Sequence, residues 1–125
     1  MNIKKLEKAI KASWDKKTCH PDGVKKWNKK NPSYGHCGVS ALLIQEYFGG
    51  RIALNKKLRH VWNILPNGSE YDIARGQFPR GTSIKREGFM SRHNMFYNKL
   101  AIKAKVKERY DLLKKRVLKK LKEKN

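Results

Sequence analysis

The stretch Gly38-Val-Ser-Ala-Leu-Leu-Ile-Gln-Glu-Tyr-Phe48 constrains the fold more than any other part of this chain. It is apolar over most of a helical circumference, so the helix it forms has to be buried on nearly every side. Gly49-Gly50 follows at once and suits a left-handed termination. Cys37 stands at the N-terminal edge of this predicted helix, with Gly35 and Gly38 close on either side.

Amphipathic spacing of Ile3, Leu6, Ala9 and Ile10 predicts a second helix over 2–13. The segment 15–36 is rich in breakers, His20-Pro21-Asp22-Gly23 and Asn31-Pro32-Ser33, and reads as a long loop that Trp14 and Trp27 pin onto the core. Arg51-Ile-Ala-Leu resembles a short strand. His60-Val-Trp-Asn-Ile-Leu and Glu70-Tyr-Asp-Ile-Ala form two strand-like runs around Pro66-Asn67-Gly68. Residues 76–94 have no periodicity and read mostly as loop. From about Phe96, the residues Leu100, Val106, Tyr110, Leu113, Val117 and Leu121 make one stripe of a long basic helix.

A chain of 125 residues fits one domain, and folding buries roughly two-thirds of its unfolded surface. Two cysteines, Cys19 and Cys37, are too few for a disulfide scaffold. The basic start leads into no continuous apolar run, so neither a signal peptide nor a membrane span is expected. A cytoplasmic location with both cysteines as free thiols is the expectation. The 31 Lys and Arg against 10 Asp and Glu give a formal charge of +21. Residues 1–30 carry +7 and residues 99–125 carry +9, so a mixed centre lies between two cationic flanks. Such flanks attract polyanions, nucleic acid among them, although 23 of the 31 basic residues are Lys, which is poorly suited to bidentate recognition.

Two effects favour a reactive Cys37. A helix N-terminus presents unpaired N–H groups and partial positive charge, which stabilise a thiolate. The Cys37 N–H itself could meet a developing oxyanion. A base is then needed, and His60 opens a strand whose hairpin partner carries Asp72. A two-residue turn at Asn67-Gly68 would place the two on opposite faces of the sheet. A three-residue loop pairs Leu65 with Ser69 and sets Asp72 opposite Trp62, diagonal to His60 on the same face. Turn chemistry prefers the latter: Pro66 and Asn67 suit a type I turn and Gly68 the left-handed residue of the bulge. Nucleophile, base and orienter are then Cys37, His60 and Asp72.

The run from His60 to Asp72 resembles the histidine-to-aspartate segment of transglutaminase-like domains. Asn31-Pro-Ser-Tyr-Gly-His-Cys-Gly-Val-Ser-Ala-Leu, Tyr47-Phe-Gly-Gly, His60-Val-Trp-Asn and Tyr71-Asp-Ile-Ala-Arg-Gly-Gln-Phe are similar to the YunG-like family of small bacterial proteins. The likeness covers about residues 14–80 and keeps the papain and transglutaminase order of cysteine, histidine, aspartate. It implies an α+β, papain/transglutaminase-like fold in which a cysteine-bearing helix packs on a small antiparallel sheet. Length and periodicity add a single domain over 1–125 with 14–80 as its core, and basic N- and C-terminal helices, the latter over 96–125, which the resemblance does not explain. The resemblance also implies Cys37 as nucleophile, His60 as general base and Asp72 as orienter. Asn31 falls at the spacing of a papain-like oxyanion-hole amide. The family usually has Gln before the cysteine, where this chain has His36.

The expected chemistry is acyl transfer without a cofactor: amide hydrolysis, deamidation or transamidation of an acidic protein or peptide. The rival is a non-enzymatic basic module that engages nucleic acid or an acidic protein, as a phage or bacterial inhibitor would, with Trp14, Trp27, Tyr34 and Tyr97 available for stacking. Cys19-His20 and His36-Cys37 match no common zinc spacing, so no metal is assigned. The sequence leaves oligomeric state open.

Overall fold

The computed structural model describes residues 1–123. Helix α1 (Ile3–Lys11) begins where the Asn2 side chain accepts a bond from the Lys5 N–H at 2.8 Å, and it buries Leu6, Ala9 and Ile10. A capping oxygen there satisfies one of the unpaired N–H groups of the first turn. Helix α2 (Cys37–Phe48) buries every residue from Val39 to Ile44 and stops at Gly49, as its apolar circumference requires. Gly49 and Gly50 both have positive φ, 77° and 84°. At Gly50 a Cβ would collide with the carbonyl oxygen of Ile64, so this junction accepts only glycine without a shift of the strand beside it.

Four antiparallel strands follow: β1 (Arg51–Asn55), β2 (His60–Ile64), β3 (Glu70–Tyr71) and β4 (Gly88–Met90). Their order in the sheet is β3-β2-β1-β4. The molecule is α+β with a small antiparallel sheet, as expected. In the β2–β3 hairpin, Asn63 pairs with Tyr71 and Ile64 with Glu70, and the Leu65 N–H donates to the Ser69 carbonyl at 2.9 Å. This is the three-residue loop that the turn chemistry selects, and Gly68 takes the left-handed φ of 89°. Strand β3 is shorter than the sequence suggested, ending before Asp72.

Strand β2 is buried on both faces. Val61 joins the main core with α1 and α2, and the Asn63 amide donates to the Ala41 carbonyl of α2 at 2.9 Å. Trp62 and Ile64 face the other way with Ala53, under Ile84 from the connection to β4. That connection is therefore the cover of the second face. Strand β4 went unread in the sequence because three residues without alternation gain their order by pairing with β1.

The single long C-terminal helix does not form. Helices α3 (Arg92–Tyr97), α4 (Lys99–Lys103) and α5 (Val106–Glu123) replace it. Asn98 caps α4 by accepting from the Ala101 N–H at 2.7 Å, and Lys105 has a left-handed φ of 55° before α5. Leu100 consequently leaves the expected stripe and is 78% exposed, whereas Tyr110, Leu113 and Val117 are buried. The last two positions of the expected helix lie outside the described residues. Helix α5 packs on α1 and α2. No helix among the described residues is long and apolar enough to cross a membrane.

Candidate active site

Helix α2 begins beside the start of β2, so the first residue of the helix lies near the first residue of the strand. Cys37 Sγ lies 4.0 Å from the Arg59 carbonyl oxygen, and the His60 ring and the Val61 N–H are the neighbours that favour its ionisation. His60 is fully buried; its Nε2 stands 2.6 Å from Asp72 Oδ2. Trp62 stacks on the imidazole with centroids 5.6 Å apart, and Phe78 meets it edge-on at 4.8 Å. The hairpin register brings Asp72 to this face, and the two aromatic rings hold the imidazole between them.

The electrostatics of the pair are coherent. Burial of Cys37 opposes ionisation, but the hydrogen bond and charge of His60, with the Val61 N–H, outweigh it and hold the thiol below its ordinary value. Burial likewise disfavours a charged His60, yet its bonds to Asp72 and Cys37 raise it to about 9. A lowered thiol beside a raised imidazole is the signature of a thiolate–imidazolium pair. Cys19, by contrast, is buried and pushed up, and its Sγ donates to the Tyr34 carbonyl at 3.3 Å.

Asn31 stays with its own loop: its backbone N–H donates to the Asn28 carbonyl at 3.1 Å, and its side-chain oxygen accepts from Ser33 Oγ at 3.4 Å. A residue that the sequence reading passed over reaches the site instead. Gln77, in the turn Arg75–Gln77 after Asp72, places Nε2 3.1 Å from His60 Nδ1. The available signal was its place in the stretch Tyr71–Phe78, five residues beyond the expected orienter.

His36, beside the cysteine, turns away into the core. Its Nε2 lies 2.7 Å from Thr18 Oγ1 and its Nδ1 3.0 Å from the Tyr34 carbonyl, with Trp14 stacked at 5.2 Å. Trp14 does pin the loop as expected, donating to Ser40 Oγ at 2.9 Å, whereas Trp27 donates within its own loop to Pro32. Burial lowers the His36 pKa from 6.5 to about 4, against the Tyr34 carbonyl. The unfolded chain thus binds this proton at higher pH than the folded one. Stability is full above the unfolded value and falls as pH drops towards 4, by up to roughly 3 kcal/mol. Urea unfolding at stepped pH should show this slope, and His36→Gln should flatten it.

A family model described as "YunG protein" matches residues 2–122. The chain is also similar to the uncharacterized protein YunG of Bacillus subtilis (strain 168), 38% identical over 71 residues. That alignment covers 55% of this chain and 56% of the relative, so the match spans about half of each. No solved structure matches the chain.

Proposed function

The chain belongs to the YunG family, and from that premise we propose that it is a cysteine-nucleophile acyl-transfer enzyme acting on amides through Cys37, His60 and Asp72. The observation that carries this reading is the buried imidazole held by a carboxylate at 2.6 Å with a lowered thiol beside it. In this proposal the chain shares with papain and transglutaminase the order cysteine, histidine, aspartate, and the cysteine that opens a helix beside an antiparallel sheet.

The Cys37 thiolate adds to the carbonyl carbon, forming a C–S bond while the carbonyl π pair moves onto oxygen. Collapse restores the carbonyl and breaks the C–N bond; the departing nitrogen takes the proton from His60 Nδ1, leaving a thioester. Water then adds as His60 accepts its proton, and the sulfur leaves again as thiolate, which completes hydrolysis. An amine in place of water gives transamidation. The net charge of +21 favours acyl donors that carry carboxylates.

In a Cys19→Ser background, alkylation of Cys37 by iodoacetamide should titrate well below the ordinary thiol value of about 8.5. A thiol that titrates at or above that value, or stays inert, would sink the enzyme reading.

A second reading, a basic binding module, rests on a different observation. Lys4, Lys5, Lys8 and Lys11 on α1, with Lys115, Lys119 and Lys122 on α5, all stand exposed. Binding of a nucleic acid or an acidic protein through them should weaken steeply with salt, because released counterions drive it. Thiol chemistry should survive the same salt.

A further inference from the structure

His60 Nδ1 has two claimants. Asp72 takes Nε2 at 2.6 Å, so the neutral ring keeps its proton there and Nδ1 carries a single lone pair. Gln77 Nε2 stands 3.1 Å from that nitrogen, and with Nε2 occupied it is also the nitrogen left for the Cys37 thiol. One lone pair cannot accept both the amide N–H and the thiol proton. Once the thiol proton reaches Nδ1, the Gln77 N–H faces another N–H and has lost its acceptor.

The backbone around Gln77 is fastened. Its N–H donates to the Ala74 carbonyl at 3.1 Å, the Phe78 N–H donates to the Arg75 carbonyl at 3.2 Å, and the Phe78 ring lies against His60. Only the amide end is free to change partner. The charged groups facing the pair are Asp72 after β3, which supports the imidazolium, and buried Arg109 of α5, which senses the thiolate charge. The neutral N–H of Gln77 pulls the other way.

We propose that Gln77 is a two-stage positioning residue: its N–H caps His60 Nδ1 while thiol and imidazole are both neutral and so restrains proton transfer from Cys37, then passes to the carbonyl oxygen of the acyl donor as sulfur attacks. The inference rests on Cys37 being the nucleophile, and it assigns the side-chain oxyanion donor to Gln77 in place of Asn31. One N–H serves two acceptors in turn, so the donor idled by ionisation becomes available when negative charge forms on oxygen.

The test compares Gln77→Met, which keeps length and removes the N–H, with the unaltered residue in the Cys19→Ser background. Two probes are used. Iodoacetamide reacts at a saturated carbon and forms no oxyanion; p-nitrophenyl acetate forms one and releases p-nitrophenolate. Gln77→Met should alkylate severalfold faster at about pH 6, while its acylation by p-nitrophenyl acetate falls about tenfold or more. Gln77→Glu, whose carboxylate accepts from protonated Nδ1, should share the faster alkylation without recovering acylation. A residue that merely holds the fold would slow both reactions. An alkylation profile that stays put or moves to higher pH in Gln77→Met, or unchanged acylation, overturns the proposal. If the unaltered chain reacts with neither probe, the reading of Cys37 as nucleophile falls and takes this inference with it. If the unaltered chain reacts and Gln77→Met matches it, the inference about Gln77 alone falls.

Discussion

Replacing His60 with alanine is expected to silence Cys37. What remains around the sulfur is burial, which raises a thiol, and Asp72, whose charge also disfavours a thiolate. The Val61 N–H is too small a counterweight, so the thiol should titrate at or above its ordinary value. Acylation by p-nitrophenyl acetate should drop by roughly 10²–10⁴-fold, the usual contribution of a positioned acid–base group. Stopped-flow acylation across pH, with circular dichroism to show that the fold is kept, makes the measurement. On an amide substrate the unaltered chain adds a second sign. The leaving nitrogen needs the His60 proton, which is present below about 9 and lost above it, so amide turnover should decline on that basic limb. An unchanged thiol titration in His60→Ala would mean that the ring plays no part in priming the sulfur.

Gly50→Ala should be among the most destabilising single changes the chain can carry. Its φ of 84° costs an L-residue about 1–2 kcal/mol. The added Cβ must also displace the Ile64 carbonyl, and the Leu65 backbone lies 3.1 Å away. Those atoms belong to the end of β2, so relief means moving the strand that carries His60 relative to the helix that carries Cys37. A loss of about 3 kcal/mol or more is expected from strain plus displacement. Gly68→Ala is the matched control: φ is 89°, but nothing lies within 4 Å of the new methyl. It should cost only the backbone term, about 1–2 kcal/mol. Urea unfolding of the two variants tests the difference, and equal losses would show that the junction tolerates crowding.

These contrasts mark what sequence could and could not reveal. The hairpin register was legible because Pro66-Asn67-Gly68 fixes it through local turn chemistry, and the register then places Asp72 beside His60. Helix α2 was legible because its apolar circumference admits one environment. The break before α5 was not, because Lys105 adopts a left-handed backbone that no glycine announces, while the apolar spacing runs on across it. Strand β4 draws its order from β1, and Gln77 reaches the ring only because a tight turn folds back after Asp72. For Asn31, six residues of separation from Cys37 said nothing about the path between them.

The buried guanidinium of Arg109 ties distant parts of the chain together: Nη1 donates to the Thr18 carbonyl at 3.1 Å and Nε to the Ala104 carbonyl at 3.0 Å. Arg116 adds a bond to the Ser13 carbonyl at 3.0 Å. The first helix and the last thus close over the same core, and closing contacts at large sequence separation form late. During synthesis α2 keeps part of its apolar surface uncovered until α5 has left the ribosome. The basic C-terminal segment is therefore the lid of the folding reaction as well as a charged surface. Ribosome-bound chains stopped before Val106 should be protease-sensitive throughout α2, with protection gained once α5 docks.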